Sequence, residues 1–183
     1  MISFKAVGVC DAEIMKKTPE NKWEPFSSNF VQLDYDHNDF GTLKQNAQDW
    51  LKYCDRSKGE KTFVNDILRD ISVTRDRDCS YYAMTCQKDS FEKLDPDKVL
   101  GYIQMKNKNI IEHEIEYLQA NPATHYYAKN RQYKNIGEML IKSIVKLFPN
   151  KDIIADPVKE ALDFYLKLGF ERMEGSRKLI LRV

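Results

Sequence analysis

The sequence contains few of the residues that mark disulfide-bonded, metal-binding or repetitive proteins. Its 183 residues include only four cysteines, and their spacing matches neither a CxxC pair nor a zinc site. We therefore expect Cys10, Cys54, Cys79 and Cys86 to be free thiols. Seven glycines and six prolines are too few and too dispersed to form an interdomain linker. We expect a single domain over residues 1–183.

Long apolar runs and an excess of one charge are also missing. No run approaches the roughly 20 apolar residues that cross a bilayer, so a membrane protein is not expected. The first nine residues lack the apolar stretch of a signal peptide, so we expect a cytoplasmic location. Lys plus Arg number 29 and Asp plus Glu number 28, leaving a net charge of +1. That balance argues against a protein whose main partner is a nucleic acid.

The composition that remains, 42% hydrophobic and 11% aromatic, suits a globular protein with a sizeable core. Residues 2–9 predict a first strand, and the rest of residues 1–40 shows no sustained periodicity, so we interpret it as an irregular extension. Apolar residues at helical spacing predict a helix over residues 42–54. Its apolar stripe comprises Leu43, Ala47, Trp50, Leu51 and Cys54. A second helix is predicted over residues 62–71.

The C-terminal part alternates predicted strands and helices. Residues 80–87 and 99–107 predict a hairpin, and residues 110–120 a third strand whose Glu114, Glu116, Leu118 and Ala120 share one face. Helices are predicted over residues 136–148 and 158–168, and strands over residues 152–155 and 178–183. This order indicates an α/β (α+β) sheet with helices packed on it.

The segment 118–140 carries the clearest chemical signal. A strand runs through a polar, basic loop into the start of an apolar helix, where unpaired N–H groups point outward. Lys129, Arg131 and Lys134 add positive charge, and Gly137 allows an anion to approach the backbone. The segment is therefore a candidate phosphate site. An ordinary strand-to-helix turn with a solvated basic loop is the alternative.

Two motifs resemble signatures of the GNAT acyltransferase superfamily. Residues 132–137, QYKNIG, are similar to its pyrophosphate loop R/Q-x-x-G-x-G/A, with Asn135 in place of the first glycine. Asparagine tolerates left-handed backbone angles better than most residues. Residues 161–170, ALDFYLKLGF, resemble the second signature, A-x-x-F-Y-x-x-x-G-F. The resemblance covers residues 80–175 and implies a mixed, mostly antiparallel central sheet flanked by helices.

The resemblance implies a binding site for acetyl-CoA as co-substrate, with no metal or prosthetic group. Carried over by position, backbone groups of Leu118, Gln119 and Ala120 hold the pantetheine arm beside a bulged strand. The pyrophosphate lies against the residues of the loop, which are Arg131, Gln132, Tyr133, Lys134, Asn135, Ile136, Gly137 and Glu138. Two features depart from the family pattern: Val158 stands where many members have an Asn, and the loop 121–130 is longer than usual.

Acyl transfer to an amine needs a proton acceptor and an acid for the leaving thiolate. The resemblance points to Glu114, four residues before the pantetheine triplet, as the base, and Glu116 is the second candidate. Solvent-facing strand carboxylates are the alternative for both. Tyr165 of the second signature is the candidate acid, with a core tyrosine as the alternative. His113 and His125 have no identifiable partner, and we interpret both as ordinary surface or loop histidines, with a position facing the acceptor as the alternative for His125.

The leading hypothesis is an acetyl-CoA-dependent N-acetyltransferase that transfers the acetyl group directly, within a ternary complex, to a primary amine. The acceptor is a small molecule or a peptide, and both a monomer and a homodimer are compatible with the sequence. One alternative is a non-catalytic acyl-CoA-binding regulatory module, motivated by Asn135 and Val158. Another is a toxin-type acetyltransferase of aminoacyl-tRNA, against which the near-zero net charge counts.

Overall fold

A computed structural model describes residues 8–33, 39–53, 66, 67, 69, 78–89, 91, 93–124 and 131–183. Within these residues it contains one sheet of nine strands and three α-helices. The strands are β1 Gly8–Lys17, β2 Trp23–Gln32, β3 Cys79–Thr85, β4 Val99–Asn107, β5 Glu112–Ala120, β6 Tyr133–Lys134, β7 Asp152–Ala155, β8 Glu171–Arg172 and β9 Leu179–Leu181. The helices are α1 Asp39–Trp50, α2 Ile136–Leu147 and α3 Leu162–Lys167.

The strand order across the sheet is β6-β1-β2-β3-β4-β5-β7-β9-β8. In the described sheet β5 and β7 pair in parallel, and the other neighbouring strands pair antiparallel. Each parallel connection needs a crossover, and α2 supplies the one from β5 to β7. The predicted fold class, a mixed and mostly antiparallel sheet flanked by helices, is confirmed.

The N-terminal part differs from the prediction. Residues 8–32 are not irregular, because β1 and β2 form a hairpin of two ten-residue strands. In β1 the alternation is visible in retrospect, since Ala12 and Ile14 are buried whereas Asp11 and Glu13 are exposed. In β2 the buried Ser28 and the proline at position 25 obscure the pattern. The Ser28 hydroxyl is satisfied by donating to the Ala12 carbonyl at 2.8 Å.

The sheet buries a different apolar cluster on each face. On one face α1 packs with Leu43, Ala47 and Trp50 against strand residues that include Tyr102. The predicted stripe is confirmed at Leu43, Ala47 and Trp50, whereas Leu51 is only half-buried in the 3-10 turn that follows the helix, and Cys54 lies outside the described residues. On the other face α2 packs its apolar side, with Leu140 and Ile144 fully buried, against β1, β3, β4 and β5.

A glycine in β4 decides how close α2 lies to the sheet. A Cβ atom at Gly101 would stand 3.0 Å from the carbonyl oxygen of Gln119 and 3.0 Å from side-chain atoms of both Ile136 and Leu140. A larger residue there would push the first turns of α2 away from β4 and β5. The start of α2 is thereby held against the end of β5.

The remaining predicted elements are present with adjusted ends. The hairpin of β3 and β4, the strands β5, β7 and β9, and the helices α2 and α3 occur where the sequence predicted them. A single 3-10 turn precedes α3, which makes this helix shorter than predicted, and Gly169 ends it with a φ of +91°. The sequence did not predict the two-residue strands β6 and β8. The predicted helix over residues 62–71 and His125 fall largely or wholly outside the described residues.

Candidate functional site

The two parallel strands at the centre of the sheet separate after a short pairing. Strand β5 pairs with β7 from Glu112 to Ile115, and the last partner on β7 is Ala155. Strand β5 then continues to Ala120 alongside β4, whereas β7 ends. The second half of β5 therefore has no strand partner on the β7 side among the residues that the structure describes. We call the space beside the second half of β5, beyond the end of β7, the slot, and the β5 backbone lines it on one side.

A β-bulge lies at the point where the slot opens. Strand β4 pairs Met105 with Ile115 and Gln104 with Tyr117, so Glu116 is an extra residue on β5. A bulge bends its strand and interrupts the alternation of side chains. The prediction that four residues of β5 share one face is therefore wrong. Glu114 lies on the face opposite Ile115, whereas Leu118 and Ala120, beyond the bulge, pack with the α2 cluster.

Helix α2 begins at the far end of the slot without a side-chain cap. Its N-cap, Asn135, has φ 66° and ψ 16°, and its side chain makes no capping hydrogen bond. The left-handed angles predicted as tolerable for this asparagine are therefore the ones it adopts. The first helical hydrogen bond runs from the Met139 amide to the Asn135 carbonyl, at 2.9 Å. The preceding amides of the first turn have no acceptor within the helix, and they form an anion-binding end.

Three elements meet where Gly137 lies in the first turn of α2. A Cβ atom at this position would stand 3.1 Å from Cζ of Phe164 on α3 and 3.7 Å from Cδ2 of Leu118 on β5. The backbone of Gly137 thus allows α3 to pack closely against α2, a role that the sequence did not predict, and the room that Gly137 leaves for an anion stays a prediction. The start of α2, the second half of β5 and α3 therefore come together at Gly137.

No protein-family model matches the sequence, and none of the curated proteins matches it. Solved structures do match the fold. The GNAT-family acetyltransferase of Staphylococcus aureus Mu50 superposes with a TM-score of 0.55 at 10% identity, covering 85% of this chain and 98% of that one. The N-acetyltransferase PseH of Campylobacter jejuni, in complex with acetyl coenzyme A, superposes with a TM-score of 0.51 at 17% identity. The match covers 84% of this chain and 98% of that one. The chain has the GNAT fold. Identities this low establish the fold alone.

In this GNAT fold the candidate acid, Tyr165, belongs to the buried apolar cluster beneath α2. It follows Phe164 on α3, is only 7% exposed, and packs edge-on against Phe164 and Phe170 with ring centroids 5.2 Å apart in both pairs. Burial raises the pKa of its phenol to about 12. No hydrogen bond engages its hydroxyl within the described part of the chain. The phenol is therefore protonated at neutral pH, and its O–H group is available as a donor.

Glu114, the first candidate base, is held by two lysines. It is buried, and its carboxylate accepts hydrogen bonds from Nζ of Lys108, on the β4–β5 turn, and of Lys178, just before β9. Burial alone would raise the pKa of this carboxyl, but the two ammonium groups outweigh it and hold the pKa below its usual value. A carboxylate stabilised in this way is a weak proton acceptor.

Glu116, the second candidate base, is in a different setting. The bulge leaves it exposed at the mouth of the slot. The pKa of Lys178 is raised, chiefly by the hydrogen bond that it donates to Glu114 and then by the negative charges of Glu114, Asp156 and Glu116. Unlike Glu114, Glu116 makes no ion pair at contact distance with a cation of the described residues. Its carboxylate is therefore accessible to a ligand.

The basic residues of the phosphate loop lie beside the N-terminal hairpin. Tyr133 and Lys134 form β6, which pairs with β1, and the Lys17 amide donates to the Gln132 carbonyl at 2.8 Å. The Arg131 guanidinium donates from Nε to the Tyr133 carbonyl at 2.9 Å. These hydrogen bonds fix the loop at the edge of the sheet. The sequence did not predict this contact, because it predicted no strand over residues 10–17.

Other residues singled out in the sequence lie apart from the site. His113 is buried near the start of β5, packs against Phe148 with ring centroids 4.3 Å apart, and has its pKa lowered mainly by burial. The prediction of a surface or loop histidine is therefore wrong for His113, because this residue is buried in β5. Val158, at a position where the GNAT pattern often has an Asn, is 55% exposed just before α3. Of the long loop 121–130, residues 125–130 lie outside the described residues.

Proposed function

We propose that the protein is an acetyl-CoA-dependent N-acetyltransferase acting on a primary amine. The observation that carries this proposal is the slot that opens at the Glu116 bulge between β5 and β7. An extended strand whose second half pairs with no described strand on the β7 side suits the amide-containing pantetheine arm. The uncapped start of α2 suits a pyrophosphate, and it lies at the end of β5, where the arm would lead to it.

The residues present fit this donor. Backbone groups of Leu118, Gln119 and Ala120 would hold the arm, and the loop 131–138 would hold the pyrophosphate through its amides. The left-handed Asn135 supports the fit, because it directs the chain into α2 in the absence of the usual glycine. Acetyl-CoA supplies a thioester carbonyl that an amine attacks. The open strand edge of β5 is suited to stabilise the carbonyl oxygen with a backbone N–H group.

Two side chains are suited to the proton transfers. A primary amine with an ordinary pKa near 10.4 is mostly protonated at pH 7, so it must lose a proton before it attacks. We assign this task to Glu116, directly or through a water molecule, because its carboxylate is exposed at the slot. Tyr165 keeps its proton at neutral pH and would donate it, or a hydrogen bond, to the departing sulfur.

Glu114 takes a different part in this proposal. Its two lysine partners keep the carboxylate ionised and engaged in ion pairs. We therefore propose that Glu114 stabilises the position of β5 before the bulge. The two glutamates are thereby separable by experiment. Glu116→Gln should lower kcat about 100-fold or more, whereas Glu114→Gln should lower protein stability and leave kcat within a few fold. Equal losses of kcat in both variants would contradict the assignment.

Binding of the donor is tested first, since it needs no knowledge of the acceptor. At a concentration 100 times Kd, acetyl-CoA should stabilise the protein by about 2.7 kcal/mol, which corresponds to a rise in Tm of roughly 5–11 °C. Release of free CoA is then followed with a panel of amines. A protein that binds acetyl-CoA but releases no CoA with any amine would instead be a non-catalytic binding module, and no binding at millimolar ligand would refute the proposal.

A further inference from the structure

Two exposed acidic residues flank the point where the slot begins, one on each strand. Ile115 and Ala155 form the last pair of β5 with β7. The next residue is acidic on both strands, Glu116 on β5 and Asp156 directly after β7, and both are exposed. Paired strands lie about 4.8 Å apart, so the two residues start from neighbouring positions before the strands separate. Two negative charges therefore stand at the beginning of the slot.

An arginine from the segment before β9 pairs with Asp156. Nη2 of Arg177 lies 3.5 Å from Oδ2 of Asp156, and the two side chains are 90% and 39% exposed. An ion pair this exposed contributes little to stability and can exchange with another cation. Lys178, the next residue, is different, because it is 37% exposed and donates a hydrogen bond to the buried Glu114. Lys178 therefore belongs to the fold, whereas Arg177 can leave its partner at little cost.

The charges around this point favour a cationic ligand once Arg177 has moved away. The charged groups nearby are Glu114, Lys108, Asp156, Arg177 and Lys178. Both lysines are bound to Glu114. Without Arg177, neither Glu116 nor Asp156 has a cation at contact distance in the part of the chain that the structure describes. A primary amine reaches the protein at pH 7 mostly as an ammonium ion, which two carboxylates complement.

We propose that Asp156 binds the ammonium group of the acceptor opposite Glu116, and that Arg177 occupies this carboxylate until the acceptor displaces it. The inference rests on the proposed function, since it takes Glu116 as the residue that removes the proton. The acceptor class is then an amine that arrives as a cation. Glu116 takes one proton, and the neutral nitrogen forms the new N–C bond as the C–S bond breaks. A second proton leaves the nitrogen in that step, and it balances the one that Tyr165 gives to the sulfur.

The test measures CoA release against amine concentration, with butylamine, ethylenediamine and a lysine-containing peptide as acceptors. Asp156→Asn should raise KM for the amine about 10-fold and leave kcat within a few fold, because it removes a contact made equally before and during transfer. Asp156→Glu keeps the charge and should keep KM close to that of the wild type. The matched control is Asp152→Asn. Asp152 lies at the other end of β7, where it pairs with Arg182 at 3.9 Å, and its loss should leave KM unchanged.

The arginine variant should change KM in the opposite direction. Arg177→Met removes the cation that competes for Asp156, so it should lower KM for the amine about 3-fold. Arg182→Met, the matched control, should leave KM unchanged. The Kd for acetyl-CoA, measured by calorimetry, should be the same in all these variants, because the proposed contacts are with the acceptor.

Two results would overturn the inference and leave the proposed function standing. One is the same KM in Asp156→Asn and Asp152→Asn. The other is a higher KM in Arg177→Met, which would mean that the arginine itself holds the acceptor. If no amine causes CoA release, the proposed function fails together with the inference.

Discussion

The ion triad around Glu114 yields a quantitative prediction. The Glu114 side chain is 7% exposed, whereas Lys108 and Lys178 are 36% and 37% exposed. A charge-assisted hydrogen bond contributes about 1.5–3 kcal/mol when it is shielded from water. Because both ammonium groups regain water when the carboxylate is removed, we expect Glu114→Gln to lower the free energy of unfolding by about 2 kcal/mol in total. This corresponds to a fall in Tm of roughly 4–8 °C.

The pH dependence distinguishes this ion triad from a packing effect. The folded-state pKa of Glu114 is lowered, so its stabilisation is complete above pH 4.5 and is lost as the pH falls through the folded-state pKa. The pKa of Lys178 is raised, so the stabilisation that its ammonium group contributes is present below pH 10.5 and is lost above the folded-state pKa. The difference in stability between wild type and Glu114→Gln should therefore be largest near neutrality and shrink at acidic pH.

Urea denaturation at a series of pH values measures this difference. Glu171→Gln, which removes an exposed carboxylate on β8, is the matched control and should change stability by less than about 0.5 kcal/mol at every pH. A Glu114→Gln difference that stays constant from pH 7 to below pH 4 would refute the electrostatic reasoning. So would a difference at neutral pH no larger than that of the control.

Three further predictions concern the candidate site. Asn135→Ala should lower the free energy of unfolding by about 1 kcal/mol, because alanine is strained at φ 66°. Asn135→Gly should leave the free energy of unfolding unchanged or raise it. Gly137→Ala places a methyl group 3.1 Å from Phe164, so it should lower the free energy of unfolding by about 1–3 kcal/mol and weaken acetyl-CoA binding. Adding Phe164→Leu to this variant should restore part of the stability and part of the affinity. Tyr165→Phe should lower kcat about 100-fold with little change in Kd for acetyl-CoA. Ionisation of Tyr165 should not lower kcat until the pH approaches about 12.

Thermal denaturation, calorimetry and steady-state kinetics measure these effects. Equal stability of the alanine and glycine variants at position 135 would contradict the left-handed N-cap. A Gly137→Ala variant with unchanged Tm would show that Phe164 moves aside without cost. Unchanged kcat in Tyr165→Phe would remove the proposed acid.

Part of the fold and of the site was predictable because it depends on local pattern. The apolar spacing of α1 and α2, the hairpin of β3 and β4, and the two GNAT-like motifs are written within short segments of chain. The left-handed angles of Asn135 were predictable for the same reason, since a conformational preference belongs to the residue itself. Such features need no knowledge of distant partners.

The wrong predictions concern β-strands whose faces depend on long-range pairing. The sequence predicts an irregular extension where the β1–β2 hairpin lies, because a buried serine and a proline in β2 obscure the period of two. No pattern in the sequence around Glu116 indicates the bulge. The bulge places Leu118 and Ala120 on the face of β5 opposite to Glu114. A shift of one residue in pairing moves every later side chain to the other face.

The sequence by itself determined the order of the elements, the start of α2 and the residue types available for chemistry. Only the tertiary structure decided where β5 leaves β7, which glutamate is held by two lysines and which is accessible. It also decided that β1 pairs with β6 beside the phosphate loop. The physical reason is that these features are set by contacts between residues such as Glu114 and Lys178, which lie 64 positions apart in the chain. Periodicity and motifs report only on neighbours in sequence.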